Sequence, residues 1–422
     1  MQSRSTISPM IIIGVLFFIF GFVTWLNGSL IPFLKVICDL NEFQALFVTF
    51  AFYIAYTVMA LPMAYLLEKT GYKNGMALGL AIMAVGSLIF IPAAQSANFI
   101  LFLVALFTLG TGLTVLQSAS NPYIVCIGDI KSAAMRISIM GLINKGAGVV
   151  APLLFSAFIL SGIGSLEDLT SEAKEVLASK LITPYIIMAA VLSGLIVLVK
   201  FSSLPELEFA QDDEVEQKSI FEFPRVVFGA AALFFYVGIE VIAGDTIGLY
   251  GQSLGVENYT SLTSFTMSFM VFGYLVGVFF IPKYLSQENA LLGSAILGAL
   301  FLVGVAISST QSNTISEILW GYSGVRTIPD SITFVALLGF ANALVWPTIW
   351  PLALEGLGRH TAKGSALLIM AIAGGAILPL LFGKIAQTSG DMQSTYLIGI
   401  VCYAFILFYA IKGHKISSWR SE

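Results

Sequence analysis

The feature that most limits this chain is a series of long apolar stretches, separated from one another by charged or turn-forming residues. A helix needs about 20 apolar residues to cross the hydrocarbon core of a membrane, and twelve stretches reach that length. Charged residues make up only 10% of the 422 residues, against about 25% in soluble domains. The sequence therefore predicts an all-α membrane protein and excludes a soluble enzyme, a nucleic-acid-binding protein and a disulfide framework.

The basic residues indicate how the spans are oriented. An even number of spans places both termini on one side, and fourteen basic residues fall on that side against five on the other. Because short cytoplasmic loops carry an excess of Lys and Arg, both termini are predicted to be cytoplasmic. The predicted spans lie near residues 10–33, 43–67, 75–95, 99–127, 137–162, 182–204, 224–251, 260–284, 288–309, 329–357, 363–387 and 394–412.

An acidic segment in the middle of the chain divides the spans six and six. We interpret residues 1–204 as an N-terminal six-helix bundle, 205–223 as a cytoplasmic linker and 224–422 as a C-terminal six-helix bundle. The string PLLF at 152–155 recurs at 379–382, which favours a duplicated unit. Two pseudo-symmetric six-helix bundles, with substrate bound between them, are the architecture of the major facilitator superfamily.

The loop after the second span resembles a conserved cytoplasmic loop of that superfamily. Glu68, Lys69, Gly71 and Lys73 follow its acidic, basic, glycine and basic pattern, although Tyr72 stands where the pattern has another basic residue. The resemblance implies that this loop holds the two bundles together during conformational change. A plain basic turn on the cytoplasmic side is the alternative interpretation.

Polar side chains in the middle of apolar spans are the best indicators of function, because membrane helices tolerate them mainly in cavities or against partners. Amides both donate and accept hydrogen bonds, and indole rings cover the apolar faces of a sugar ring, so the set found here suits a neutral polyhydroxylated ligand. Bonds between helices and the interfacial aromatic belt are the alternatives. The predicted binding residues are Asn27, Gln117, Asn121, Asn144, Asn342, Trp346 and Trp350.

Three ionisable residues lie deep in the spans. Lys145 belongs to the fifth span, and Glu240 and Asp245 belong to the seventh. A carboxylate inside a membrane cavity can hold a coupling cation, either a proton or a sodium ion, and Glu240 is the first candidate for a sodium site. A structural ion pair with Lys145 is the alternative. No other metal-ligand spacing and no cofactor motif occurs in the sequence.

At these residues the chain resembles the fucose permease and glucose/galactose transporter family of the major facilitator superfamily. The segments that carry the resemblance are LNGSLIP at 26–32, QSASNPY at 117–123, the stretch 236–245 and WPT at 346–348. The family implies import of a monosaccharide, driven by a cation gradient and by rocking of the two halves, in the inner membrane of a bacterium. Glucose and galactose are the expected substrates, and mannose and N-acetylglucosamine remain open.

Two positions depart from the fucose permeases. Those proteins carry an aspartate in place of Gly28 and a proton-handling glutamate in place of Gln117, which places this chain in the glucose/galactose branch. Coupling must then rely on another group, with Glu240 the best candidate, Asp245 the second, and sodium favoured over a proton. We expect a monomer with sugar and lipid as its partners; a sugar uniporter, a drug exporter and a non-transporting sugar sensor are the competing interpretations.

Overall fold

A computed structural model describes residues 7–126, 133–159, 170–202, 204, 219–281, 283–357 and 360–419. Within these residues the chain forms helices and turns, without a strand, and twelve helical segments are long and apolar enough to cross a membrane. The predicted all-α membrane fold with 12 spans is confirmed. Most of the predicted linker, residues 205–218, lies outside the described residues, so the proposed boundaries between the bundles stay a prediction.

The helices are numbered in chain order, and the spans are counted one to twelve. The first six spans contain α1 (Ile7–Trp25), α2 (Asn27–Ile37), α3 (Glu42–Ala45), α4 (Phe47–Thr70), α5 (Tyr72–Ser96), α6 (Phe99–Cys126), α7 (Ala133–Ile159), α8 (Ser171–Ser179) and α9 (Ile182–Phe201). The second six and their connections contain α10 (Pro224–Asp245), α11 (Ile247–Ser253), α12 (Thr263–Phe280), α13 (Gln287–Ile307), α14 (Thr314–Trp320), α15 (Asp330–Asn342), α16 (Val345–Leu354), α17 (Thr361–Met370), α18 (Gly374–Ser389), α19 (Met392–Thr395) and α20 (Gly399–Ile411).

Several spans consist of more than one helical segment, and three of the interruptions lie beside predicted polar residues. Span one breaks between α1 and α2, span seven between α10 and α11, and span ten between α15 and α16. A predicted polar residue flanks each break: Asn27 begins α2, Asp245 ends α10 and Asn342 ends α15. Broken membrane helices are tolerated where other groups satisfy the freed backbone, and in many transporters they form the binding site.

Hydroxyl groups of span eight bond to carbonyl groups near the break in span seven. The Thr263 hydroxyl donates to the carbonyl oxygen of Gly244 at 2.7 Å, and the Thr266 hydroxyl donates to that of Ala243 at 3.2 Å. Span eight therefore fixes the carbonyl groups of span seven just before Asp245.

The two halves meet tightly at one end of the bundle, which holds the turns at 38–41 and 254–258; we call it the distal end. The Ser29 hydroxyl of span one donates to the Thr260 carbonyl oxygen at 2.5 Å, and the hydroxyls of Ser156 and Thr260 are 2.6 Å apart. A Cβ atom on Gly28 would lie 2.1 Å from Thr263 Oγ1. Because a non-bonded contact that short is impossible, a Cβ atom at position 28 would have to displace Thr263, and spans one, five and eight close this part of the distal end.

Candidate functional site

A buried ion pair joins the two halves at the centre of the bundle. Lys145 Nζ of span five lies 2.6 Å from Glu240 Oε1 of span seven, and the two side chains are only 11% and 8% exposed. The same ammonium group lies 4.4 Å from the ring centroid of Trp25 in span one, a cation–π contact. The Lys145 ammonium group thus takes the position beside Glu240 where a sodium ion was expected.

Tyrosine side chains surround the Glu240 carboxylate. Tyr236, Tyr274 and Tyr403 are all buried and close enough to interact electrostatically with it. The Tyr403 hydroxyl donates to Asn342 Oδ1 at 2.8 Å, which ties span twelve to the end of α15. Glu240 therefore lies in a polar pocket made by several spans rather than in an apolar core.

Asp245 is fully buried and has a different environment from Glu240. The Thr49 hydroxyl of span two donates to Asp245 Oδ2 at 3.2 Å. Asp245 Oδ1 has no hydrogen-bond partner among the described residues. Tyr53, one turn after Thr49, is close enough to interact with both carboxylates. Asp245 is thus a buried acid whose second oxygen is available to a ligand.

The amide and the first indole ring of span ten meet two of the tyrosines that surround Glu240. Asn342 Oδ1 accepts from the Tyr403 hydroxyl, and its Nδ2 is buried and unpartnered within the described part of the chain. The Trp346 and Trp350 ring centroids are 5.5 Å apart, and Tyr236 lies 6.3 Å from Trp346. Trp350 Nε1 is likewise buried without a described partner. Span ten therefore presents two free donors and two adjacent indole rings, joined to the surroundings of Glu240 through Tyr403 and Tyr236.

The remaining amides are distributed among three spans. Asn27 is buried, and its Nδ2 has no partner in the described regions. Gln117 Nε2 donates to the Tyr56 hydroxyl at 2.9 Å, and Asn121 is half-buried on the same helix. Asn144 Nδ2 donates weakly, at 3.4 Å, to the Phe17 carbonyl oxygen of span one. The Asn144 amide thus also joins one helix to another, which was the alternative interpretation for this residue type.

Two cavities lie between the halves. One of about 350 Å³ is lined mainly by apolar side chains of spans two, seven and eleven, including Phe234 and Met370. The second, of about 490 Å³, opens at the distal end and is lined by Lys35, Glu42 and Asp391 among other polar groups. The predicted sugar residues line neither cavity, as expected if their site is compressed while the halves are closed.

The predicted conformational loop bends at a glycine. Gly71 has φ of +76°, a conformation that favours glycine. Lys73 Nζ donates to the Ser202 carbonyl oxygen at 2.9 Å, at the end of span six, and Lys69 Nζ lies over the Tyr65 ring. The side chain of Glu68 lies outside the described part of the structure. The Lys73 bond is a helix-terminus contact within the first half.

Sequence reasoning missed several residues of the site. Thr49, Tyr53, Tyr56, Tyr274 and Tyr403 contact or surround the predicted polar residues, and none of them was among the candidates. Each of these residues carries a hydroxyl group in the middle of an apolar span. The sequence criterion, a polar side chain in the middle of a span, covers only amides and charged residues and therefore misses them. No group of three or more His, Cys, Asp or Glu side chains that could hold a metal occurs in the described ranges.

Comparison with known proteins agrees with the predicted fold. The family model described as Major Facilitator Superfamily matches residues 13–378. The chain is 34% identical to a glucose/galactose transporter of Brucella abortus biovar 1 (strain 9-941), over 95% of this chain and 93% of that protein. It is 27% identical to the L-fucose-proton symporter of Escherichia coli (strain K12), over 97% of this chain and 94% of that protein.

A solved structure shows the same fold. The major facilitator superfamily transporter FucP in the outward conformation superimposes with a TM-score of 0.72 at 24% identity, covering 96% of this chain and 99% of that one. The resemblance found in the sequence is thus confirmed. The chain belongs to the major facilitator superfamily, alongside the glucose/galactose transporters.

Proposed function

We propose that this protein imports a neutral monosaccharide, with glucose and galactose as the first candidates, by symport with a cation. The observation that carries the proposal is the group of free donors and indole rings on span ten, which contacts tyrosines that surround the buried carboxylate of Glu240. Asn342 Nδ2 and Trp350 Nε1 are buried without a described partner, and a sugar hydroxyl can accept from both. The names of the relatives support the same substrate class.

The halves act by alternating access around this site. In the present conformation Lys145 of the first half holds Glu240 of the second, and Thr49 holds Asp245 in the same way. Opening the distal end separates these partners, so each carboxylate must then find another. The need of each carboxylate for a new partner links the charge of the site to the movement of the halves. In a symporter the coupling cation can be that partner, whereas a uniporter has no coupling cation.

The test is uptake of radiolabelled sugar into proteoliposomes, with sodium and proton gradients imposed separately. We expect gradient-stimulated uptake of glucose or galactose, with mannose and N-acetylglucosamine as further substrates to compare. Asn342→Leu removes the free donor and should raise KM by about tenfold, as expected for loss of one hydrogen bond to a buried partner. Asn289→Leu, at an exposed position, is the matched control and should leave KM unchanged.

Three outcomes would contradict parts of this proposal. Uptake without any effect of either gradient would make the protein a uniporter, and sugar binding without uptake would make it a sensor. Neither binding nor uptake of any of the four sugars would refute the substrate class. We also propose that the protein works as a monomer, embedded in lipid in the bacterial inner membrane with both termini cytoplasmic, which reporter fusions at each terminus can check.

A further inference from the structure

The deep charges of the bundle do not balance. In the middle of the described spans Lys145 carries one positive charge, while Glu240 and Asp245 can carry one negative charge each. Lys145 and Glu240 neutralise each other at 2.6 Å. One carboxylate, Asp245, is left over. An isolated buried charge is strongly disfavoured unless something pairs with it, so the closed bundle requires one further positive charge.

The surroundings of Asp245 offer oxygen atoms and no basic group. From span two, the Thr49 hydroxyl contacts Oδ2 and Tyr53 lies nearby. From span seven itself, Glu240 adds a like charge. In the described part of the structure, no Lys, Arg or His forms an ion pair with Asp245.

The carbonyl groups next to Asp245 already have partners. The Thr246 N–H donates to the Ile242 carbonyl oxygen at 3.1 Å, so helical hydrogen bonding continues through the bend between α10 and α11. The carbonyl oxygens of Ala243 and Gly244 accept from hydroxyl groups of span eight. The ligands of a cation at this place are therefore side-chain oxygen atoms.

A metal cation fits this site better than a proton. A proton on Oδ1 would be a buried donor without a described partner. A proton on Oδ2 could be donated to Thr49 Oγ1, but Oδ1 would then still lack a partner. A buried polar atom without a hydrogen bond is costly. A hard cation instead requires oxygen ligands with free lone pairs, and Asp245 Oδ1, Asp245 Oδ2 and Thr49 Oγ1 provide three.

We propose that one sodium ion binds at Asp245, with Thr49 as its ligand from the other half, and that the Lys145–Glu240 pair is a structural lock rather than the coupling site. This inference rests on the proposed symport and specifies its ion. It predicts one sodium ion per sugar. Because Asp245 and Thr49 belong to different halves, sodium binding should stabilise the conformation in which the distal end is closed.

The experiment measures the thermal unfolding midpoint of purified protein in nanodiscs against NaCl, with choline chloride replacing it at constant ionic strength and without sugar. The wild-type midpoint should rise with sodium, and Asp245→Asn should abolish the rise. Thr49→Val should raise the half-saturating sodium concentration by about 10- to 100-fold, as for other lost contacts at metal sites, while Thr49→Ser keeps the hydroxyl and the response. The double variant Lys145→Met/Glu240→Gln should retain the sodium response.

The outcomes separate this inference from the proposed function. A sodium response that depends on Asp245, in a protein that transports none of the sugars, would support the ion site and refute the sugar assignment. A response that survives Asp245→Asn, or is lost in the double variant, would overturn the assignment to Asp245. A midpoint that changes with pH but not with sodium would overturn the choice of ion in favour of the proton.

Discussion

The ion pair between Lys145 and Glu240 gives a prediction whose size follows from its burial. The perturbation is the set Lys145→Met, Glu240→Gln and the double variant. Removing one partner of a buried pair costs about 3–5 kcal/mol, while replacing both is often neutral. The side chains are 11% and 8% exposed, so solvent screening reduces this little. Each single variant should therefore be markedly less stable than the double variant.

The assay is the thermal unfolding midpoint of each variant in nanodiscs, compared with that of wild type. In Glu240→Gln the ammonium keeps its contact with the Trp25 ring, 4.4 Å away, which offsets part of its loss by about 0.5–2 kcal/mol. The reasoning would be refuted if the double variant were no more stable than the single ones.

Three further predictions concern single positions. Gly28→Asp should open the distal end, because the new Cβ atom would lie 2.1 Å from Thr263 Oγ1. Faster alkylation of a cysteine placed at the distal contact would show the opening, and an unchanged alkylation rate would contradict it. Tyr403→Phe removes the donor to Asn342 and should raise KM for sugar with little change in kcat, so an unchanged KM would count against a positioning role. Gln117→Glu should make uptake depend on pH over the range in which carboxyl groups titrate, and a flat uptake profile would argue against this position as a proton site.

The number of spans and the identity of the deep charges could be predicted from the sequence because both follow from the cost of polarity in lipid. Glu240 and Lys145 stand out as charges among apolar residues, whichever way their helices face. The pairing of these two residues could not be predicted in the same way. They are 95 residues apart, and the rotation of two helices decides whether their side chains meet.

The tyrosines of the site show a second limit of sequence reasoning. In a soluble protein the polar face of a helix marks the side that faces water, but in a bilayer the lipid and the helix interfaces are both apolar. Tyr53 lies in a span where most side chains are apolar, and the span of Tyr274 carries Ser and Thr on several faces, so periodicity does not show which face looks inward. Only packing reveals that these tyrosines surround the carboxylates.

The distal contact at Thr260 ties one residue of the second half to two helices of the first. Its carbonyl oxygen accepts from Ser29 of span one, and its hydroxyl bonds to that of Ser156 in span five. If the halves move by the proposed alternating access, we expect both bonds to break together, because they share the same residue. Opening at Thr260 would then be cooperative between spans one and five.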